Sequence, residues 1–433
     1  MKQKSFLLVN VKLVDDRPVE IEVIDGFITR IENNISSAYP KIDGAGGYVM
    51  PGLVDLHTHL REPGKESAET VLTGSRAAVI GGYTAVSAMA NTSPVADTAG
   101  VVEQVAHLGV KAGLCDVFPI GAVTVGLQGE KLAELSAMAQ SSAKVRVFSD
   151  DGKCVSNPLL MRRALEYVKS FDGVIAQHAQ DPLLTVDAQM NEGIVSSRLG
   201  LKGWPSVAEE SIIARDILLA DYVKSRLHIC HLTTKGGVEL VRWAKSQGIQ
   251  VTAEVTPHHL LLTDERAESY DPIFKVNPPL RTNEDVMALR EGLADGTIDC
   301  VATDHAPHPD EDKDCEWSAA AFGMIGLETA LSVVVTTMID TGLMGWSDLV
   351  ERMSRTPSTI GGYSDHGTLE VSKPANFIVV DPKARWTVDR EKVVSRSSNT
   401  PFHGEMLSAK VTHTFYKGVQ VVRSGELTGL KSE

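Results

Sequence analysis

Two rhythms of hydrophobic and polar positions divide the chain. Through its middle, eight short runs rich in apolar and β-branched residues recur at Met50–His57, Tyr83–Met89, Asp116–Ala122, Val145–Ser149, Val174–His178, Leu227–His231, Gln250–Thr256 and Ile298–Asp304. Such near-continuous apolar runs suit strands covered on both faces, as in a parallel sheet. Helix signals fill most of the gaps. Asn157-Pro158 places a capping residue before a proline at the first helical position, and Ser206-Val207-Ala208-Glu209 has the form of a capping box ahead of Ile212, Ile213, Ile217 and Leu218. Eight alternations predict an α/β chain with a (β/α)8 TIM-like barrel over residues 50–365; an open doubly wound sheet is the alternative.

The chain ends follow the other rhythm. Leu7, Val9, Val11 and Leu13, then Val19, Ile21 and Val23, alternate with polar neighbours, and Asp25-Gly26 supplies a hairpin turn signal. Phe377-Ile378-Val379-Val380, Val411-Thr412-His413-Thr414 and Tyr416–Val421 continue the pattern in the tail. Residues 1–49 and 366–433 are therefore expected to join as one small β-sandwich domain.

Composition narrows the function classes. A chain of 433 residues with formal charge -14 presents a surface that repels nucleic acid and anionic membranes, though not a small anionic substrate near local positive charge. No apolar run approaches the length of a membrane span. The five cysteines (Cys115, Cys154, Cys230, Cys300, Cys315) are scattered and lack a Cys-x-x-Cys pair, which fits buried thiols in a reducing, cytoplasmic compartment.

The chemistry concentrates at the strand ends. In Asp55-Leu56-His57-Thr58-His59-Leu60-Arg61, His57 and His59 stand two apart on a strand, so both rings point the same way. Neutral imidazoles at such a site suit a divalent metal such as zinc. Other strands end in further ligand types: Asp150-Asp151-Gly152, Gln177-His178, Cys230-His231 and Thr303-Asp304-His305. Taken singly, each is equally a polar residue facing solvent. In a (β/α)8 barrel, however, His57, His59, Asp151, His178, His231 and Asp304 meet at the C-terminal rim. Six such groups can hold two metals that share a carboxylate. The adjacent His258 and His259 are expected to face opposite ways and to be structural, and His305 to point away from the metals.

These motifs are similar to those of the amidohydrolase superfamily and, within it, the dihydroorotases. Asp55-Leu56-His57-Thr58-His59-Leu60-Arg61-Glu62-Pro63 resembles the first dihydroorotase signature. Ala302-Thr303-Asp304-His305-Ala306-Pro307-His308, with Lys313 five residues on, resembles the second. Asn91, Asn277 and Phe322-Gly323 match the family's substrate-contact motifs. The resemblance implies two Zn2+ per subunit bridged by Asp151, as in the bacterial class that uses Asp where relatives use a carboxylated Lys. Lys144 and Lys153 lie nearby but do not fit that position. It further implies reversible cyclisation of N-carbamoyl-L-aspartate to L-dihydroorotate, with Asp304 moving the proton. Substrate contacts are implied for His59, Arg61, Asn91, Asn277, His308, Phe322 and Gly323. It implies a homodimer, and some relatives assemble with aspartate transcarbamoylase.

Overall fold

The computed structural model describes residues 4–429. The N-terminal segment forms β1 (Phe6–Lys12), β2 (Pro18–Ile24), β3 (Phe27–Glu32), β4 (Lys41–Asp43) and β5 (Tyr48–Pro51). Asp25 and Gly26 join β2 to β3 with φ of 51° and 90°, the positive values that a two-residue hairpin turn requires. The apolar runs follow as β6 (Leu53–Thr58), β7 (Tyr83–Ala88), β8 (Asp116–Pro119), β9 (Val147–Phe148) and β10 (Val174–Gln177). A short parallel pair, β11 (Met190–Asn191) and β12 (Gly203–Trp204), interrupts them before β13 (Leu227–Ile229), β14 (Val251–Val255) and β15 (Cys300–Val301). The tail supplies β16 (Phe377–Thr387), β17 (Met406–Tyr416), β18 (Val419–Arg423) and β19 (Glu426–Leu427).

All eight expected middle strands are present, in two parallel sheets ordered β6-β7-β8 and β9-β10-β13-β14-β15. Isolated parallel bridges, Gly121 to Phe148 and Thr58 to His305, link the sheets at both edges. Between the strands run helices that include Val71–Ile80, Ala99–Ala112, Pro158–Val168, Val207–Val223, Lys235–Ser246 and Asn283–Asp295. Their Val79, Val105, Leu165, Ile213, Val241 and Leu289 pack with Val86, Phe148, Ile175, Ile229 and Val301 in one cluster. Along β10, Ile175 joins that cluster while Val174 and Ala176 join Met89, Ile120, Val147 and Cys230 in another, so both strand faces are buried.

Two local expectations divide. Asn157 caps its helix, accepting from the backbone N–H of Leu159 and Leu160. Ser206 makes no side-chain cap, because Glu209 turns instead to the backbone N–H groups of Thr233 and Thr234, each 3.0 Å away. The run Met50–His57 also splits, at Gly52. Its first part belongs to β5, which pairs antiparallel with β16, and only its second part enters the middle sheets as β6. A side chain at 52 would lie 2.3 Å from Thr84, so glycine permits this close crossing.

The chain ends do combine, but the expected sandwich of two sheets is a single nine-stranded sheet, ordered β19-β18-β17-β16-β5-β1-β2-β3 with β4 also on β1. It rolls over on itself. Strands β1 and β17 stand three spacings apart, about 14 Å if the sheet were flat, yet the rings of Phe6 and Phe415 stack at 4.9 Å between centroids. Register shifts within β16 and β17 allow the bend. Phe6, Leu8, Ile21, Phe377 and Phe415 fill the enclosed face.

Asp116, the first residue of β8, ties this sheet to the parallel strands. It accepts from His366 Nε2 (3.0 Å), Tyr416 OH (2.8 Å) and Lys417 Nζ (2.8 Å). Burial would push its carboxyl up, but His366 and Lys417 hold it down at about 2. Asp116→Asn leaves these donors without a charged acceptor and is expected to cost about 2 kcal/mol. Urea denaturation checks this, as a lower midpoint at unchanged slope.

Candidate metal centre

The six predicted ligands converge. His57 lies in β6, and the others follow the C-terminal ends of β6, β9, β10, β13 and β15 within a few residues. His57 Nε2 stands 3.3 Å from Asp151 Oδ1 and 3.5 Å from Asp304 Oδ1. His59 Nε2 stands 3.0 Å from Asp304 Oδ1 and 3.3 Å from Asp151 Oδ2. On the other side, His178 Nδ1 and His231 Nε2 each lie 3.2 Å from Asp151 Oδ1 and 3.0 Å from one another. Asp151 thus faces both pairs of histidines. Arg61, His231 and Asp304 take positive φ values of 63°, 29° and 47°, which are unusual for residues with a side chain. Strain of this kind collects where the surrounding structure dictates side-chain direction.

The donor set fits divalent metal. The ligand atoms of His57, His59 and Asp151, and likewise of Asp151, His178 and His231, lie within 4.8 Å of one another. His57 Nε2 is fully buried and has no hydrogen-bond partner, a cost a metal ion would remove. Burial works against charge on Asp151 and Asp304, yet the surrounding histidines hold both carboxyls well below the usual range, in the ionised form that ligation needs.

Several residues orient the ligands, and sequence reasoning did not single out the most important. Glu254 of β14 accepts from His57 Nδ1 at 2.7 Å and pairs with His228 Nε2 at 3.0 Å. Burial would raise its carboxyl, but His57 and His228 bring it to about 2. The available signal was a carboxylate in an otherwise buried strand. Gln180 faces His178 Nε2 at 2.7 Å, two residues along the chain. Asp55 receives the backbone N–H of His57 and both the N–H and hydroxyl of Thr303, locking the first motif to the segment carrying Asp304. Asp150, beside the ligand, accepts from the backbone of Val123 and Thr124 and is structural. Lys153 is exposed and outside the cluster. His305 turns away to Glu69 and the Gly326 amide. His258 and His259 are both buried in the short helix Pro257–Leu261, not on a strand.

The residues implied as substrate contacts form a looser group around the cage. Asn91 meets His59 Nδ1 at 2.9 Å. Arg61 donates to the Pro307 carbonyl (3.1 Å) and approaches His308 Nε2 (3.3 Å). Both line a cavity of about 710 Å³. Burial, reinforced by the Arg61 and Lys313 charges, lowers His308 to about 3, so its ring is neutral. Asn277 donates to Gln180 at 3.3 Å and its Oδ1 is buried without a partner. The Gly323 amide is already committed to the Lys275 carbonyl at 3.0 Å, and the Phe322 carbonyl to His308.

Parallel strands ringed by helices, with a His/Asp cage at their ends and a sheet built from both termini, define the chain as an amidohydrolase. The fold is similar to L-hydantoinase from Arthrobacter aurescens, with TM-score 0.86, 25% identity and coverage of 99% of this chain and 98% of that one. It is also similar to dihydropyrimidinase from Brevibacillus agri, with TM-score 0.84, 19% identity and coverage of 98% and 96%. Residues 46–237 match the family model described as Dihydro-orotase-like. The chain is 63% identical to dihydroorotase of Streptomyces coelicolor over 98% of its own length and 99% of that protein. It is 55% identical to dihydroorotase of Mycobacterium tuberculosis over 94% and 96%. The chain belongs to the dihydroorotase family.

Glu254→Gln keeps the shape but weakens the acceptor for His57. It is expected to lower metal affinity about 10–100-fold in a chelator competition, and unchanged affinity would contradict this role.

Proposed function

We propose that this chain interconverts N-carbamoyl-L-aspartate and L-dihydroorotate, the ring-forming step of pyrimidine biosynthesis. The observation that carries the reading is the meeting of His57, His59, His178, His231 and Asp304 around Asp151, with Arg61 and His308 lining a cavity two residues along the chain from His59 and four from Asp304. Near-full-length identity to dihydroorotases supports the substrate. In the same reading, residues 50–365 carry a (β/α)8 barrel and, among the described residues, 4–49 plus 366–429 the small domain, whose sheet also takes in Met50 and Pro51 of β5.

The nitrogen-rich donor set suits Zn2+, two per subunit in this proposal, with Asp151 shared between the two histidine pairs; bound there, the metal would supply Lewis acidity and would lower the pKa of water toward neutrality. His57 and His59 would hold one and His178 and His231 the other. In ring opening, water adds to the ring carbonyl carbon. The Asp304 carboxylate, whose Oδ1 faces His59, takes the proton of that water and returns it to the departing ring nitrogen. In ring closure it takes a proton from the ureido nitrogen as that nitrogen bonds to the side-chain carboxyl carbon; the C–O bond to the departing oxygen breaks, and that oxygen leaves as water with the proton from Asp304 and one from solvent. The substrate carboxylate, a bystander to this chemistry, suits the Arg61 guanidinium, with Asn91 and neutral His308 as further hydrogen-bonding groups. In the same proposal His59 also contacts the substrate, and Asn277 with Phe322-Gly323 meets the ring amide edges.

Among the described residues no helix is long and apolar enough to cross a membrane. All five cysteines are free, which supports a cytoplasmic setting. A homodimer and an assembly with aspartate transcarbamoylase belong to the same proposal and are tested by sedimentation with and without that enzyme.

Turnover of dihydroorotate is expected to exceed that of hydantoin and allantoin; preference for either of the latter would overturn the assignment. Asp304→Asn should reduce turnover by about 10²–10⁴ with metal content near normal. Arg61→Ala should chiefly raise KM for the carboxylate-bearing substrate, seen in steady-state kinetics.

A further inference from the structure

Beyond the cage, two buried lysines make an arrangement that the mechanism does not use. Lys275 precedes Asn277 by two residues and is 1% exposed. Its Nζ donates to the carbonyls of Trp317 (2.6 Å), Ser318 (3.3 Å) and Ala320 (2.8 Å), and sits 4.4 Å from the centre of the Phe322 ring. Lys313 reaches the opposite way. Its Nζ donates to the carbonyls of Pro272 (2.8 Å), Lys275 (3.1 Å) and Ala321 (2.8 Å). Each ammonium therefore places its three N–H groups on three carbonyls, and each carbonyl set includes the segment that carries the other lysine or its neighbours.

Besides the two lysines, the segment is held by Trp317, which packs with Met190 and Ala267, by Ser398 on Asp310, and by its own backbone turns. Of residues 309–321 only Lys313, Trp317 and Ala320 are buried. Pro309, Glu311, Asp312, Cys315, Ala319 and Ala321 nevertheless form one wall of the cavity that Arg61 and His308 line. The segment also joins His308 to Phe322-Gly323. At its far end the Gly323 amide donates to the carbonyl of Lys275, so the segment starts and finishes beside the proposed substrate contacts. The lysines are costly fasteners. Burial lowers Lys313 to about 7 and Lys275 below its ordinary range, with Asp271, Asp312 and Cys315 facing Lys313 as well as Lys275. Burying charge against carbonyl dipoles in place of packing an apolar side chain favours one geometry over general stability.

We propose that Lys275 and Lys313 form a reciprocal clasp that sets the 309–321 segment over the substrate cavity, making both positioning residues for substrate recognition. The inference rests on the reading of that cavity given above, whereas the clasp can be measured without substrate. In the full-length protein, Lys313→Ala is expected to speed amide hydrogen exchange in 309–321 about tenfold, leaving β6 and β14 unchanged. KM for dihydroorotate should rise about tenfold with kcat within about twofold. Added ethylammonium, which can refill the carbonyl cage with N–H donors, should reverse both effects, and tetramethylammonium, which has none, should not. Unaltered exchange in 309–321, altered exchange with unaltered KM, or equal rescue by both cations would each overturn the proposal. Should Lys313→Ala fail to fold, Lys275→Met removes the other half of the clasp and carries the same test. A wild-type protein inactive on dihydroorotate would defeat the functional reading, while the exchange experiment would still decide the clasp.

Discussion

A single buried carboxylate, that of Asp151, sets the terms for the site. Four imidazoles, from His57, His59, His178 and His231, stand at 3.2–3.3 Å from its oxygens. An ionised carboxylate in such a place costs several kcal/mol unless opposite charge surrounds it. That requirement brings together the ends of strands from distant parts of the chain. It also explains why residues beside the cage accept positive φ angles. Glu254 extends the same logic one layer further, since a second buried carboxylate behind His57 fixes which ring nitrogen faces Asp151.

The polar groups at the two ends of the strand set do different work. At the N-terminal end, Asp116 collects His366, Tyr416 and Lys417 and fastens the rolled sheet to β8. At the C-terminal end, the proposed function gives charge to the substrate. Arg61 has a carbonyl and a neutral imidazole as its nearest partners, so its charge stays available. The lysine clasp belongs to neither group. It uses ammonium groups to hold main chain where few apolar side chains are present to do so.

Legibility in the sequence followed the physics of each signal. The eight buried strands were readable because apolar runs bounded by turn residues need no distant information. The pairing of His57 with His59 follows from strand geometry alone. The place where one strand became two was not readable, because the crossing at Gly52 depends on Thr84. The capping box at Ser206 failed for a similar reason, since Glu209 found better donors on Thr233 and Thr234. The rolled sheet looked like a sandwich because both produce the same alternation of buried and exposed positions. Glu254, Gln180 and the lysine clasp were hidden because isolated polar residues carry no period.

The most direct test is anomalous diffraction at the zinc edge from crystals of the zinc-loaded protein. Two peaks about 3.5–4 Å apart, one beside His57 and His59 and one beside His178 and His231, with Asp151 between them, are the predicted result. No peak at the cage, or a metal held by groups that exclude Asp151, would contradict the account.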